Sequence, residues 1–230
     1  MEGHTAVEDV NSRMNGALIR DVFVKTEKNK FISTISLSEI HDYSQYSLRQ
    51  VLFPDLNAPI VGNAENPCAE LVVGIQGKKA LTTARATGIQ WWSPSCQAMY
   101  SLTTELISPQ GEVESSRVDR ISFRDIQFDG KQFSLNGLPL SKDQAKDIKV
   151  MPLSVEQSFV EQCNEDGSLI VIEIDEAVDE KSLVEAVERL RNSPSVIAWS
   201  ATSKSLYKQY STLFSRLDGS RPVVNGFIPR

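Results

Sequence analysis

The chain has 230 residues, 40% of them apolar and 23% charged, which is enough to bury a core in one large domain or two modest ones. Its formal net charge is −6 and its pI about 5.1. That balance argues against a nucleic-acid surface as the main role, because phosphate binding needs a basic footprint. Three widely spaced cysteines (Cys68, Cys96, Cys163) and two histidines (His4, His41) exclude a disulfide framework, a zinc pattern and a histidine-rich metal site, so no metal and no cofactor is expected.

Residues 1–16 are polar and lack the apolar core of a signal peptide, and they read as a flexible N-terminal arm. No apolar run approaches the roughly 20 residues of a membrane span. The expected location is soluble, cytoplasmic if the chain is complete and exported if it is a trimmed domain. Residues 17–128 are β-like. Val22 and Val24 alternate with charge, and Phe31, Ile35 and Leu37 share one parity of FISTISL. Leu71, Val73 and Ile75 alternate, as do Tyr100, Leu102, Thr104 and Leu106; Ile121, Phe123, Ile126 and Phe128 close the region. Turn chemistry separates these runs at FPDLNAP, NAENP, WSPS and SPQG, which predicts an immunoglobulin-like antiparallel sandwich. Trp91 and Trp92 read as sandwich core and turn. Residues 129–140 read as a hairpin linker, with Asn136-Gly137 as its tight turn.

From 141 to 230 the texture changes. KDIKVMP is a short strand, and the helix after it carries Val155, Phe159, Val160 and Cys163 on one face. SLIVIEI and SVIAWSA are continuous apolar runs of the kind found in strands buried on both faces. DEKSLVEAVERLRNSP and SLYKQYSTLFSRLDG are amphipathic helices, the first with acidic residues early and arginines late, the second with Gly219 past its end. RPVVNG is a last strand. The order β-α-β-α-β-α-β predicts a parallel sheet, and the whole chain is α+β and multidomain: a β-sandwich followed by a partial (β/α) barrel or a small open parallel α/β sheet.

Several of these segments, in order, resemble the family 2 glycoside hydrolases (the β-galactosidase, β-glucuronidase and β-mannosidase family). GALIRDVFVKT resembles the start of that family's immunoglobulin-like domain, and IQWWSPSCQAMYSLTTELISPQGEV its Trp-Ser-Pro signature and late strand. RISFRDIQFDGKQFSLNGLPL resembles its passage into the catalytic barrel. SFVEQCNEDGSLIVIEI, RNSPSVIAWSATSKS and SRLDGSRPV resemble successive barrel segments up to the step before the fifth strand.

The resemblance implies a retaining glycosidase, which works with two carboxyl groups, and the sequence departs from it where those groups belong. The fourth-strand motif of the family ends Asn-Glu, with the Glu as acid/base; here Ser203 and Lys204 stand in those places. An ammonium with a reference pKa of about 10.4 does not copy a carboxylic acid. The family's nucleophile lies on a later strand than this sequence reaches. Its Arg-x-x-His reads Lys149-Val150-Met151-Pro152 here, and of its third-strand Asp-Glu only Glu173 is kept. Seven residues separate Leu140 from Ile148, where the family has its first barrel strand and helix.

No catalytic residue is therefore expected. Glu173, Trp199 and Lys204 are the candidates for a remnant ligand site at the strand ends. Ser200, Ser203 and Lys204 lie close in sequence, but no motif organises them as nucleophile and base. The expected function is a non-catalytic scaffold or protein-interaction module; the alternatives are a carbohydrate-binding remnant and a glycosidase fragment active only with missing segments. An open half-barrel has free edges and a bare inner face, so it is expected either to re-close on itself or to meet a protein partner or a second copy. Carbohydrate is the other candidate ligand, with no nucleic acid and no membrane.

Overall fold

The computed structural model describes residues 2–8, 13–14, 17–26, 30–37, 45–55, 69–74, 81–85, 89–175 and 178–227. The NAENP turn, the part of FPDLNAP beyond Asp55, His41, Cys68 and Ile75 lie outside the described residues. The chain is α+β, with antiparallel sheets, one parallel four-stranded sheet and four helices among the described residues. It divides into two units. Residues 1–90 and 98–121 form one, and residues 91–97 and 122–230 form the other.

The first unit holds two antiparallel sheets. In one, β1 (Glu2–Glu8) lies between β3 (Ala17–Thr26) and β7 (Leu81–Arg85), β2 (Arg13–Met14) pairs the start of β3, and β4 (Lys30–Leu37) pairs the other side of β3. The flexible arm expected over residues 1–16 is thus corrected. Glu2–Glu8 and Arg13–Met14 are strands, and β1 is laddered on both sides, which satisfies its backbone N–H and C=O groups whatever its side chains. The other sheet runs β6-β5-β8-β9, from β5 (Ser47–Pro54), β6 (Ala69–Gly74), β8 (Tyr100–Ile107) and β9 (Val113–Ile121). The alternation read in β8 is its burial pattern: Tyr100, Leu102, Thr104 and Leu106 are buried and the residues between them are not. SPQG makes the β8–β9 turn, where Gly111 N donates to Ser108 O at 2.9 Å with Gly111 at φ 85°.

In the second unit β10 (Ile126–Phe128), β11 (Phe133–Leu135) and β12 (Leu138–Pro139) form a three-stranded meander. Asn136 and Gly137 join β11 to β12 with φ of 54° and 83°, the positive pair that a two-residue hairpin turn requires. The Asn136 side chain also donates to Trp92 O and accepts from Asp125 N, both at 2.9 Å. Between Leu140 and Ile148 the chain makes one capped turn, α1 (Lys142–Lys146), closed by a Ser141–Gln144 capping box.

The parallel sheet follows in the order β13 (Lys149–Pro152), β14 (Ile170–Ile174), β15 (Val196–Ala201), β16 (Val223–Asn225). Its connections are α2 (Gln157–Asp166), α3 (Glu180–Leu190) and α4 (Lys204–Leu217). Ile170, Ile172, Ile174 and Trp199 pack with Val160, Leu183, Leu190 and Phe214 in one core, so all three helices share a face of the sheet.

The opposite face is covered, so the sheet does not present the bare inner face of an open half-barrel. Val171, Ala198 and Ser200 are fully buried there and Val224 nearly so. Aromatic residues outside the sheet account for part of the cover: Phe227 N donates to Ser200 Oγ at 3.0 Å, and its ring meets Phe133 of β11, which in turn packs on Phe128.

Trp92 is also reassigned. It is fully buried in the second unit, where Nε1 donates to Asn164 O of α2 at 2.9 Å, while the Asn164 amide oxygen accepts from Ser195 N and Oγ. The 91–97 loop passes so close to Gly167 that a Cβ there would collide with the carbonyl oxygen of Pro94.

A buried ionic cluster sits at the N-terminal ends of β15 and β16. Asp218 bonds the Arg221 guanidinium through both carboxylate oxygens, at 2.9 and 3.0 Å, and accepts from Trp199 Nε1 at 2.7 Å and Ser220 Oγ at 2.6 Å. Arg221 donates onward to the carbonyls of Val196, Arg191 and Ser193, and Arg124 Nη2 shares the Val196 carbonyl at 2.8 Å. Burial and then the charge of Arg221 push the Arg124 guanidinium well below the ordinary arginine value. Burial pushes the Asp218 carboxyl up, but the Arg221 charge and the hydrogen bonds from Ser220, Trp199 and Arg221 outweigh it and hold the group below the usual range.

Asp218→Asn leaves Arg221 buried without its counter-charge, so it is expected to lower unfolding free energy by about 3–5 kcal/mol in urea titrations. Because the folded-state pKa of Asp218 is depressed, its stabilisation is present above the unfolded value of about 3.9 and is lost as pH falls through the folded value. The variant is expected to lack that component of acid destabilisation.

Candidate functional site

In a sheet of parallel strands the side chains available for chemistry gather at the carboxyl ends, where the connecting loops start. Here those ends are Pro152–Ser154 after β13, Asp175 after β14, Thr202–Lys204 after β15 and Gly226–Phe227 after β16. The register sets Pro152, Glu173, Ser200 and Val224 in one row across the four strands. Alternation turns this row away from the helices. Thr202 closes the end of β15 by donating its N–H and its hydroxyl to Ile174 O, both at 3.0 Å.

The residues singled out from the sequence do not converge. Glu173 is half-buried in that row and lines a groove of about 530 Å3. Trp199 faces the other way, fully buried, with its ring stacked on Phe214 at 5.1 Å and its Nε1 held by Asp218. This corrects its candidacy as a ligand contact, since a ring with no exposed face has none to offer a sugar. Lys204 is exposed as the first residue of α4. Ser203 is the N-cap of that helix; its hydroxyl accepts from Leu206 N at 3.3 Å and lies 2.9 Å from Ser205 Oγ. Ser200 is fully buried. Ser200, Ser203 and Lys204 are thus a core hydroxyl, a helix cap and a surface ammonium, and no nucleophile–base pair is assembled from them.

Other residues of the groove carry no sequence motif. Its walls include Leu153, Asp175, Val178, Asp179, Ser182 and Arg189. Asp179 caps α3: the hydroxyl and N–H of Ser182 donate to its carboxylate at 2.6 and 3.0 Å and hold that carboxyl below the usual range. Arg189 donates to Val155 O at 2.7 Å and Leu153 O at 3.0 Å, tying the end of α3 to the loop after β13. In the sequence it reads only as a basic residue late in a helix; the signal missed is that a half-turned arginine can satisfy a loop's carbonyls. Among the described residues no group of three His, Cys, Asp or Glu side chains is set to hold a metal ion, and no helix is long and apolar enough to cross a membrane.

No family model and no curated protein matches the sequence. Solved structures do match in fold. A glycosyl hydrolase family 2 member from Bacteroides cellulosilyticus aligns with a TM-score of 0.62 at 17% identity over 96% of this chain and 34% of that one. The Bifidobacterium dentium β-glucuronidase, solved with coumarin-3-O-glucuronide, aligns at 0.59 and 14% over 97% and 43%. The Ruminococcus gnavus β-glucuronidase, solved with D-glucuronic acid, aligns at 0.57 and 17% over 98% and 42%. The chain has a glycosidase-related fold, and it spans between a third and a half of the length of these structures. The fold likeness implied by the ordered motifs is met in three dimensions.

With Ser203 as a cap and Lys204 at a helix N-terminus, the two positions are separable by stability. Ser203→Ala is expected to lower unfolding free energy by about 1 kcal/mol. Lys204→Glu is expected to raise it slightly, since a carboxylate suits the positive end of the helix dipole and an ammonium does not. A destabilised Lys204→Glu variant in chemical denaturation would instead mean that the ammonium has a structural partner.

Proposed function

We propose that this chain is a non-catalytic scaffold or protein-interaction module, built as an immunoglobulin-like sandwich followed by a partial (β/α) barrel of the family 2 glycoside hydrolase kind. The barrel reading is supported by four parallel strands in sequential order with all three connecting helices on one face, the arrangement of a barrel arc.

The observation that carries the functional reading is Lys204. The motif Ser-Pro-Ser-Val-Ile-Ala-Trp-Ser leads directly to the place where the family keeps its acid/base carboxyl, and there the chain has an exposed ammonium. Retaining chemistry needs two carboxyl groups about 5–5.5 Å apart, one of them able to give a proton to the leaving oxygen. An ammonium at that position meets neither the charge nor the proton-transfer requirement near neutral pH. What remains for the carboxyl ends of the strands is binding, with a protein partner or a second copy as the favoured occupant.

One observation favours a second reading, that of a piece of a family 2 glycosidase completed by other segments: the chain covers only 34–43% of the three structures compared above. Even so completed, Lys204 would stand in the acid/base place. The carbohydrate-binding remnant is the weaker alternative, because Trp199 offers it no platform and only Glu173 of its candidate contacts lines a groove.

A panel of nitrophenyl glycosides tests the non-catalytic reading. No turnover above buffer is expected from the wild-type chain. Turnover that disappears in Lys204→Ala contradicts the non-catalytic reading.

A further inference from the structure

Asparagine is a thermolabile residue, and most so before glycine, where no side chain obstructs the approach of the next backbone nitrogen to the carboxamide. The Asn-Gly steps at 136–137 and 225–226 are held in opposite ways. Asn225 is exposed at the end of β16, and the engaged group is the nitrogen after it, since Gly226 N donates to Ala201 O at 2.8 Å. At 136–137 the glycine is exposed, with open space where a Cβ would stand, and the engaged group is the carboxamide. Asn136 Nδ2 donates to Trp92 O and Oδ1 accepts from Asp125 N, both at 2.9 Å. The carboxamide therefore ties the hairpin turn to the 91–97 loop, where Trp92 N donates to Phe123 O, and Ser93 and Cys96 exchange backbone bonds.

We propose that Asn136 is a latent deamidation site, protected by these two bonds and unable to restore them once converted. In the reaction Gly137 N gives up its proton and bonds to Asn136 Cγ. The Cγ–Nδ2 bond breaks, and Nδ2 leaves as ammonia with that proton. Water then opens the cyclic imide at either carbonyl, giving aspartate or isoaspartate. No oxidant or reductant takes part. Turning Cγ toward Gly137 N breaks both side-chain bonds, so conversion proceeds through local opening of the turn. Aspartate sets an acceptor against Trp92 O where a donor stood. Isoaspartate adds an atom to the main chain of a two-residue turn. Either product releases the 91–97 loop.

The test ages the whole chain in warm, mildly alkaline buffer with and without urea, and follows residue 136 by peptide mass spectrometry. Conversion is expected to be about tenfold slower in the folded chain, the margin that two net hydrogen bonds supply; equal rates overturn the protection. Hydrogen exchange then reads the release. Asn136→Asp is expected to speed exchange at the Trp92, Ser93 and Cys96 amides about tenfold. Asn225→Asp, the same charge change at the exposed end of β16, is expected to leave them as they are. Should the aspartate variant not fold, Asn136→Gly serves, because glycine suits the turn's φ of 54° and lacks both side-chain bonds. The same acceleration is expected there. An unaltered loop in a folded variant at 136, or equal acceleration in Asn225→Asp, overturns the proposal.

Discussion

A carboxylate and a guanidinium face each other at Asp218 and Arg221 with 1–2% of their side chains exposed, and the α/β unit depends on how that pair is satisfied. Two charges withdrawn from water are tolerated only when their remaining hydrogen-bonding capacity is filled. Here it is filled by the protein itself. The carboxylate takes the indole N–H of Trp199 and the hydroxyl of Ser220, and the guanidinium spends its other donors on the carbonyls of Arg191, Ser193 and Val196. Those partners belong to the end of α3, the start of β15, the middle of β15 and the loop before β16. One ion pair therefore ties the ends of α3 and α4 to β15 and to the entry into β16. Arg124, reaching the same Val196 carbonyl, adds a segment from before the first strand of the unit.

The position of this cluster separates what holds the fold from where a parallel sheet keeps its reacting groups. It sits at the amino ends of the strands, the end that governs stability in barrel-like sheets, while reacting groups belong to the carboxyl ends. At the carboxyl ends of this chain the roles are held by groups with structural work or none: Ser203 caps α4, Ser200 is sealed under Phe227, and Lys204 projects into solvent. The residue at position 204 takes part in no bond of the Asp218 cluster, so the two ends can change independently.

The sequence was most legible where one residue pattern decides one element. The β-branched runs of β14 and β15, the apolar stripe of α3 and the Asn136-Gly137 turn all took the form their periods and turn chemistry require. It was least legible where a residue acts at a distance. Trp92 beside Ser-Pro looks like part of the preceding sandwich, yet its indole bonds a carbonyl 72 residues on. Arg221 before Pro222 reads as a helix-to-strand turn, and nothing local tells that Asp218 is buried beside it. The inner face of the sheet looked bare because Phe133 and Phe227, which meet beside it, flank the strand sequence on both sides. Strand β1 was unreadable for a different reason: its apolar content is low, and pairing on both sides makes it a strand.

The central claim is that the carboxyl ends of these strands no longer carry glycosidase chemistry. Its most direct test is exposure of the chain to 2-deoxy-2-fluoroglycosides with good leaving groups, which trap an attacking carboxylate as a stable glycosyl ester even where the acid catalyst is missing, followed by intact-protein mass spectrometry. The account predicts an unmodified mass. A covalent adduct on any carboxylate at the ends of β13 to β16 would contradict it.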